Sequence, residues 1–137
     1  MSSKLTDFLT LKSLPFSPDC GLLALRLWLG GSMLMIHGLD KFKNFNGTLK
    51  HFHDQMHIST PLAAAAILAE SVFAGFLAIG FATRLSALIL IINMSVAFFQ
   101  VHHMSFKQGE LAFLYLGGFV AIFLAGPGKF SVDEKIR

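Results

Sequence analysis

The sequence predicts an all-α membrane protein, a bundle of four transmembrane helices with a short interfacial helix between the first two spans. Three observations predict it. The 137 residues are 54% hydrophobic and only 14% charged, where soluble domains carry about 25% charged residues. So little polar surface cannot cover a water-exposed globule. Four apolar segments stand out, at about 21–39, 61–81, 85–102 and 110–125, each near the ~17–25 residues a helix needs to cross a bilayer. The third and fourth, "LSALILIINMSVAFFQV" and "LAFLYLGGFVAIFLA", are apolar on nearly every side, as lipid-contacting helices are.

In chain order, residues 1–18 form an N-terminal interfacial segment, 19–128 the membrane domain and 129–137 a C-terminal tail. The first segment is broken by Pro15 and Pro18, and Leu5, Phe8, Leu9 and Lys12 suit one or two turns on a membrane surface. It lacks the apolar run of a cleaved signal, so the first span is expected to be an uncleaved anchor. That span contains "RLWLGGSMLMIHGLDKF", with Arg26 near one end and His37 near the other. Eleven residues at about 100° each come to about 20° past three turns, which predicts that both side chains share one face, roughly 16 Å apart.

The link 40–60 is too polar to span. Phe42, Phe45, Leu49, Phe52 and Met56 recur at helical steps. Gly47 interrupts the pattern, so a turn is expected and then a short helix from about Thr48. The second span carries Glu70, about 13 Å past Pro61 and near mid-membrane. A charge there is costly and seeks a partner. Arg26, on the neighbouring antiparallel helix, is the expected one, directly or through water. The third span offers Ser86, Asn93 and Gln100 at steps of seven, a predicted polar stripe. In the fourth, Gly117-x-x-x-Ala121 suits close helix approach, and "GPGK" ends the helix.

All six histidines map to the side opposite the termini. His37, His102, His103 and Glu110 are expected at one mouth of the bundle. The candidate ligand-binding residues are therefore Arg26, His37, Glu70, Asn93, Gln100, His102, His103 and Glu110, with Arg26, Glu70 and His37 as catalytic candidates. His37, His102, His103 and Glu110 are the candidates for a metal, a reading that no HExxH spacing supports. Clustered interfacial histidines and a buried pair that only fixes packing are the plain alternatives. Cys20 is the only cysteine, which excludes an internal disulfide. A net charge of +3 without a basic run gives no sign of a nucleic-acid partner. Lys4, Lys12, Arg84, Lys129, Lys135 and Arg137 on the side of the termini outnumber Lys41, Lys43, Lys50 and Lys107 on the other. That favours cytoplasmic termini in the cell (inner) membrane.

"LRLWLGGSMLMIHGLDKF", "ESVFAGFLAIGFATRLSAL" and "GELAFLYLGGFVAIFLAGPGKFSVD" together resemble the DoxX family of small membrane proteins. The matching positions run in order: Arg26 and Gly30; His37-Gly38 and Lys41; Glu70, Gly75 and Gly80; Arg84; Glu110; Gly126-Pro127-Gly128 and Asp133. The resemblance implies a compact four-helix membrane bundle. The family's name-giving members are subunits of a thiosulfate:quinone oxidoreductase or terminal quinol oxidase; others are associated with oxidative-stress complexes, and animal relatives look like receptor chaperones. The histidines at 51–57 have no match in that pattern.

Two classes of function are compatible with these residues. One is a redox-linked subunit or accessory protein that meets a quinone or quinol among the helices. No haem, flavin or cluster signature is present, so its electrons would come from a partner protein. The other is a non-enzymatic scaffold, assembly factor or chaperone, alone or as a homo-oligomer, in contact with the lipid bilayer. A proton or small-solute path would use the same interior groups.

Overall fold

The computed structural model describes residues 3–137. The described residues form helices and no strand. Four helices are long and apolar enough to cross a membrane: α2 (Pro18–Lys43), α4 (Thr60–Ile79), α5 (Thr83–Val101) and α6 (Phe106–Ala125). Three short helices complete the chain: α1 (Ser3–Leu9), α3 (Phe45–Met56) and α7 (Val132–Lys135).

The helix ends obey local chemistry. Ser17 caps α2 by accepting the Cys20 N–H, with Pro18 in the first turn, where its missing donor costs nothing. α2 runs on to Lys43, past the expected end at 39, because Asp40–Lys43 contain no helix breaker. α3 begins at Phe45, before the expected Thr48. Gly47 falls in its first turn, where backbone N–H groups have no intrahelical partner in any case, so it interrupts nothing. α4 ends at Gly80, whose φ of 76° is the left-handed cap glycine adopts most easily. α6 starts at Phe106, a turn earlier than 110, which puts Glu110 in its second turn.

The four spans pack as a ring in chain order: α2 on α4, α4 on α5, α5 on α6, and α6 back on α2. Leu77, Leu90, Met94, Phe98, Phe119 and Ile122 are among the side chains that fill the centre. α2 and α4 approach most closely at Gly30 and Gly38. A Cβ on Gly38 would collide with the Glu70 carbonyl oxygen, and one on Gly30 would lie 2.8 Å from that of Ala74. The expected approach at Gly117 does not occur: a Cβ there would meet nothing within 4 Å.

Three of the four spans contain a π-helical turn: Met33–Gly38 in α2, Ala69–Phe73 in α4 and Ala97–Val101 in α5. Such a turn closes its hydrogen bonds one residue later than an α-turn and rotates the residues beyond it. The 100° arithmetic therefore fails across it. His37 lies within the first π turn and Gln100 within the third, so neither keeps the face that a regular helix would give it.

Candidate functional site

The π turns of α2 and α4 pack against each other, with Gly38 on the backbone of Glu70. Together with the π turn of α5 they border a cavity of about 470 Å³. Met33 and His37 line it from the first π turn, Ala69 and Glu70 from the second, Ala97 and Val101 from the third. Phe52 and Met56 of α3 cover it. Its walls are otherwise mainly aliphatic, and its volume lies within the range of small-molecule sites.

The polar end of the cavity is built around Glu70, which is only 7% exposed. Lys41 donates to Glu70 Oε2, and Asn93 Nδ2 donates to Oε1 at 3.1 Å. Both carboxylate oxygens are therefore held, as a buried charge requires. The Lys41 ammonium also lies 5.5 Å from the centroid of the Phe52 ring, a cation–π contact that ties α3 to the site. His37 meets Tyr115 edge to face, with ring centroids 6.2 Å apart, and the Tyr115 hydroxyl is 2.7 Å from Ser32 Oγ. Lysine and carboxylate cancel one another, which leaves an apolar chamber whose polar end is close to neutral and carries donors and acceptors.

The expected site residues divide into two groups. His37, Glu70, Asn93 and His102 line the cavity. Arg26, Gln100, His103 and Glu110 do not. Gln100 is exposed because the π turn at 97–101 takes it off the stripe of Ser86 and Asn93. Ser86 instead donates to the Phe81 carbonyl. Glu110 is exposed because α6 starts a turn earlier, and His103 lies beyond the end of α5. Among the described residues no group of three His, Cys, Asp or Glu side chains is placed to hold a metal ion. Lys41 and Tyr115 were missed as site residues. Lys41 comes one helical turn after His37, on a helix read as ending at 39. Tyr115, the only tyrosine, has no sequence signal beyond its hydroxyl in an apolar span.

Arg26 and Glu70 do not pair. Arg26 is fully buried at the other end of the bundle, under Gly80, where Nη2 donates to the Phe130 carbonyl. The chain after α6 turns back there through Gly126 and Gly128, both at positive φ. Asp133 then accepts the N–H groups of Ala82 at 2.7 Å and Thr83 at 2.8 Å, and its own N–H donates to the Gly80 carbonyl. Burial alone would raise the Asp133 pKa. The Thr83 and Ala82 N–H groups and the nearby Arg26 charge outweigh it and hold the carboxyl below its ordinary value.

No curated protein and no solved structure matches the chain. A family model, DoxX, matches residues 21–103, more than half of the chain. That stretch holds Arg26, His37, Lys41, Glu70 and Asn93, and all but the last of the four spans. With four apolar helices and the family's model matched over three of them, the chain is a multi-pass membrane protein and belongs to the DoxX family.

Proposed function

We propose that this protein binds a small, uncharged, quinone-like molecule in the cavity and serves as a redox-linked subunit or accessory protein of a membrane oxidoreductase system. The observation that carries the proposal is the pairing of an apolar chamber with one polar end, where Lys41, Glu70, Asn93 and His37 converge. A planar ring with carbonyl oxygens fits such a site: its body replaces apolar contacts, and its oxygens accept from Lys41 or His37. The pairing of Lys41 with Glu70 disfavours a charged ligand, which would bring an uncompensated charge into the interior. His37 and His102, both on the cavity wall, are suited to carry protons between a reduced ring and the mouth, because an imidazole can accept a proton on one ring nitrogen and donate from the other. Electrons would come from a partner protein. In this reading the protein sits in the cell (inner) membrane with cytoplasmic termini, and the described residues before α2, 3–17, lie on the membrane surface; residues 1 and 2 of the expected interfacial segment lie outside the described residues.

The scaffold reading is served best by the Arg26 end, whose polar groups hold the tail. It gives no account of the cavity. Native mass spectrometry of the detergent-purified protein, then organic extraction, separates the two readings. A co-purifying quinone that is lost in Glu70→Gln is the expected result. A folded wild type without quinone, or equal retention in Glu70→Gln, would favour the scaffold.

A further inference from the structure

A second concavity, of about 740 Å³, lies between the α3–α4 turn and the end of α5. Its polar lining is Gln55, His57, Ser59, Gln100 and His103, all exposed. Its remaining walls are Met56, Ile58, Leu62, Val96 and Val101, and every one of these also lines the cavity around Glu70. The two spaces therefore share an apolar boundary rather than a polar partition.

We propose that cavity and groove form one continuous site for an elongated amphiphile, with its head beside Glu70 and its chain leaving over Leu62 and Val96 into the bilayer interface. The proposal rests on the cavity reading above and adds the shape and route of the ligand. Three features carry it. The shared boundary is wholly apolar, so a strongly polar solute crossing it would shed its water without replacement, whereas an alkyl or isoprenoid chain gains contact there. The groove lies at the ends of two spans, the level at which lipid-dissolved amphiphiles meet the headgroup region. Both of its lips are set by non-glycine residues in the left-handed region: His57 at φ 55° on one, His103 at φ 49° and Met104 at φ 58° on the other. Strain of this kind persists where surrounding structure holds it, and it concentrates at ligand clamps. The helix that covers the cavity, α3, has no buried residue and packs chiefly on the adjoining ends of α2 and α4. It can lift without opening the core.

The test compares a head alone, dimethoxy-methyl-benzoquinone, with its decyl derivative. Both are titrated against wild type, Ser59→Trp and Gln100→Trp in lipid nanodiscs; these two residues line the groove and not the cavity around Glu70. Both positions are exposed, and size exclusion with circular dichroism checks that the variants fold. The expected result is a loss of about tenfold in decyl affinity, the equivalent of roughly two buried methylenes, with the head alone unchanged. Equal effects on both probes, or on neither, overturn the proposal. A head-alone probe that binds wild type and is lost in Glu70→Gln keeps the cavity reading whichever way the chain behaves. If no probe binds wild type, both readings fall. An independent measurement uses a decyl probe with a diazirine near the chain end. Labelling within residues 55–62 or 96–103 is expected; labelling spread over the outer faces of α6 overturns the route.

Discussion

The two ends of the bundle both bury a charge, and they do it differently. At one end Arg26 is fully enclosed, and its hydrogen bond goes to a backbone carbonyl of the tail, with Asp133 close by. At the other, Glu70 is held by the side chains of Lys41 and Asn93 and faces open space. The first arrangement is closed by chain folding back on chain. The second keeps its polar groups on side chains that can turn toward a ligand. A charge inside a membrane protein is by default a functional candidate, and this bundle encloses one such charge against backbone and leaves the other facing a cavity.

Removing the closed charge should cost most. Arg26→Ala leaves the Phe130 carbonyl without its donor and a hole beneath Gly80. A loss of about 3–5 kcal/mol is expected, the range for truncating a large, fully buried side chain to alanine. Arg26→Met, closer in volume, should recover much of it. Thermal unfolding in detergent gives both values. Neither change should alter binding in the cavity, provided the protein is folded. A selective loss of ligand with stability intact would erase the distinction between the two ends.

At the open end the expected effect is smaller. Lys41 is partly exposed and Glu70 nearly enclosed, so Lys41→Met should destabilise by about 1–2 kcal/mol, the cost of leaving a polar group unsatisfied. It should weaken ligand binding more than it weakens the fold. A double-mutant cycle of Lys41→Met with Glu70→Gln should show coupling above about 0.5 kcal/mol, as contacting residues do. The matching cycle of Arg26→Met with Glu70→Gln should be additive within about 0.5 kcal/mol. Coupling in the second cycle would restore the Arg26–Glu70 pair that the structure separates.

The separation of the two ends was only partly legible in the sequence. The four spans, the isolated charges at 26 and 70, and Asn93 as an interior amide stand out because each is a polar exception in an apolar run. Which exceptions meet was not legible. The π turns have no simple sequence signature, and each spoils the rotation that a regular helix would predict. Gln100 was lost to one of them. The partner of Arg26 lies 104 residues away in sequence, in a segment read as a tail. One signal was available. Ser131-x-x-Glu134 is the pattern of a capped helix start, and Ser131 does cap α7 by accepting the Glu134 N–H at 3.2 Å. Lys41 was hidden differently, by a helix end placed four residues too early.

The smallest expected effect belongs to the clamp that closes the Arg26 end. Asp133 accepts two backbone N–H groups at the start of α5, where a negative charge also suits the helix dipole. Its folded pKa lies below the ordinary value of 3.8. A group depressed on folding contributes stability that is fully present above its unfolded pKa and is lost as pH falls through the folded one. Lowering pH from about 5 to about 3 should therefore lower the wild-type Tm. Asp133→Asn has no charge to lose, so it should start lower at the higher pH and fall less. Other carboxylates titrate in the same window, and the difference between the two proteins isolates Asp133. Parallel curves would mean that the Asp133 charge adds nothing beyond the shape of the turn, and that the tail is held at Arg26 by packing and the Phe130 carbonyl.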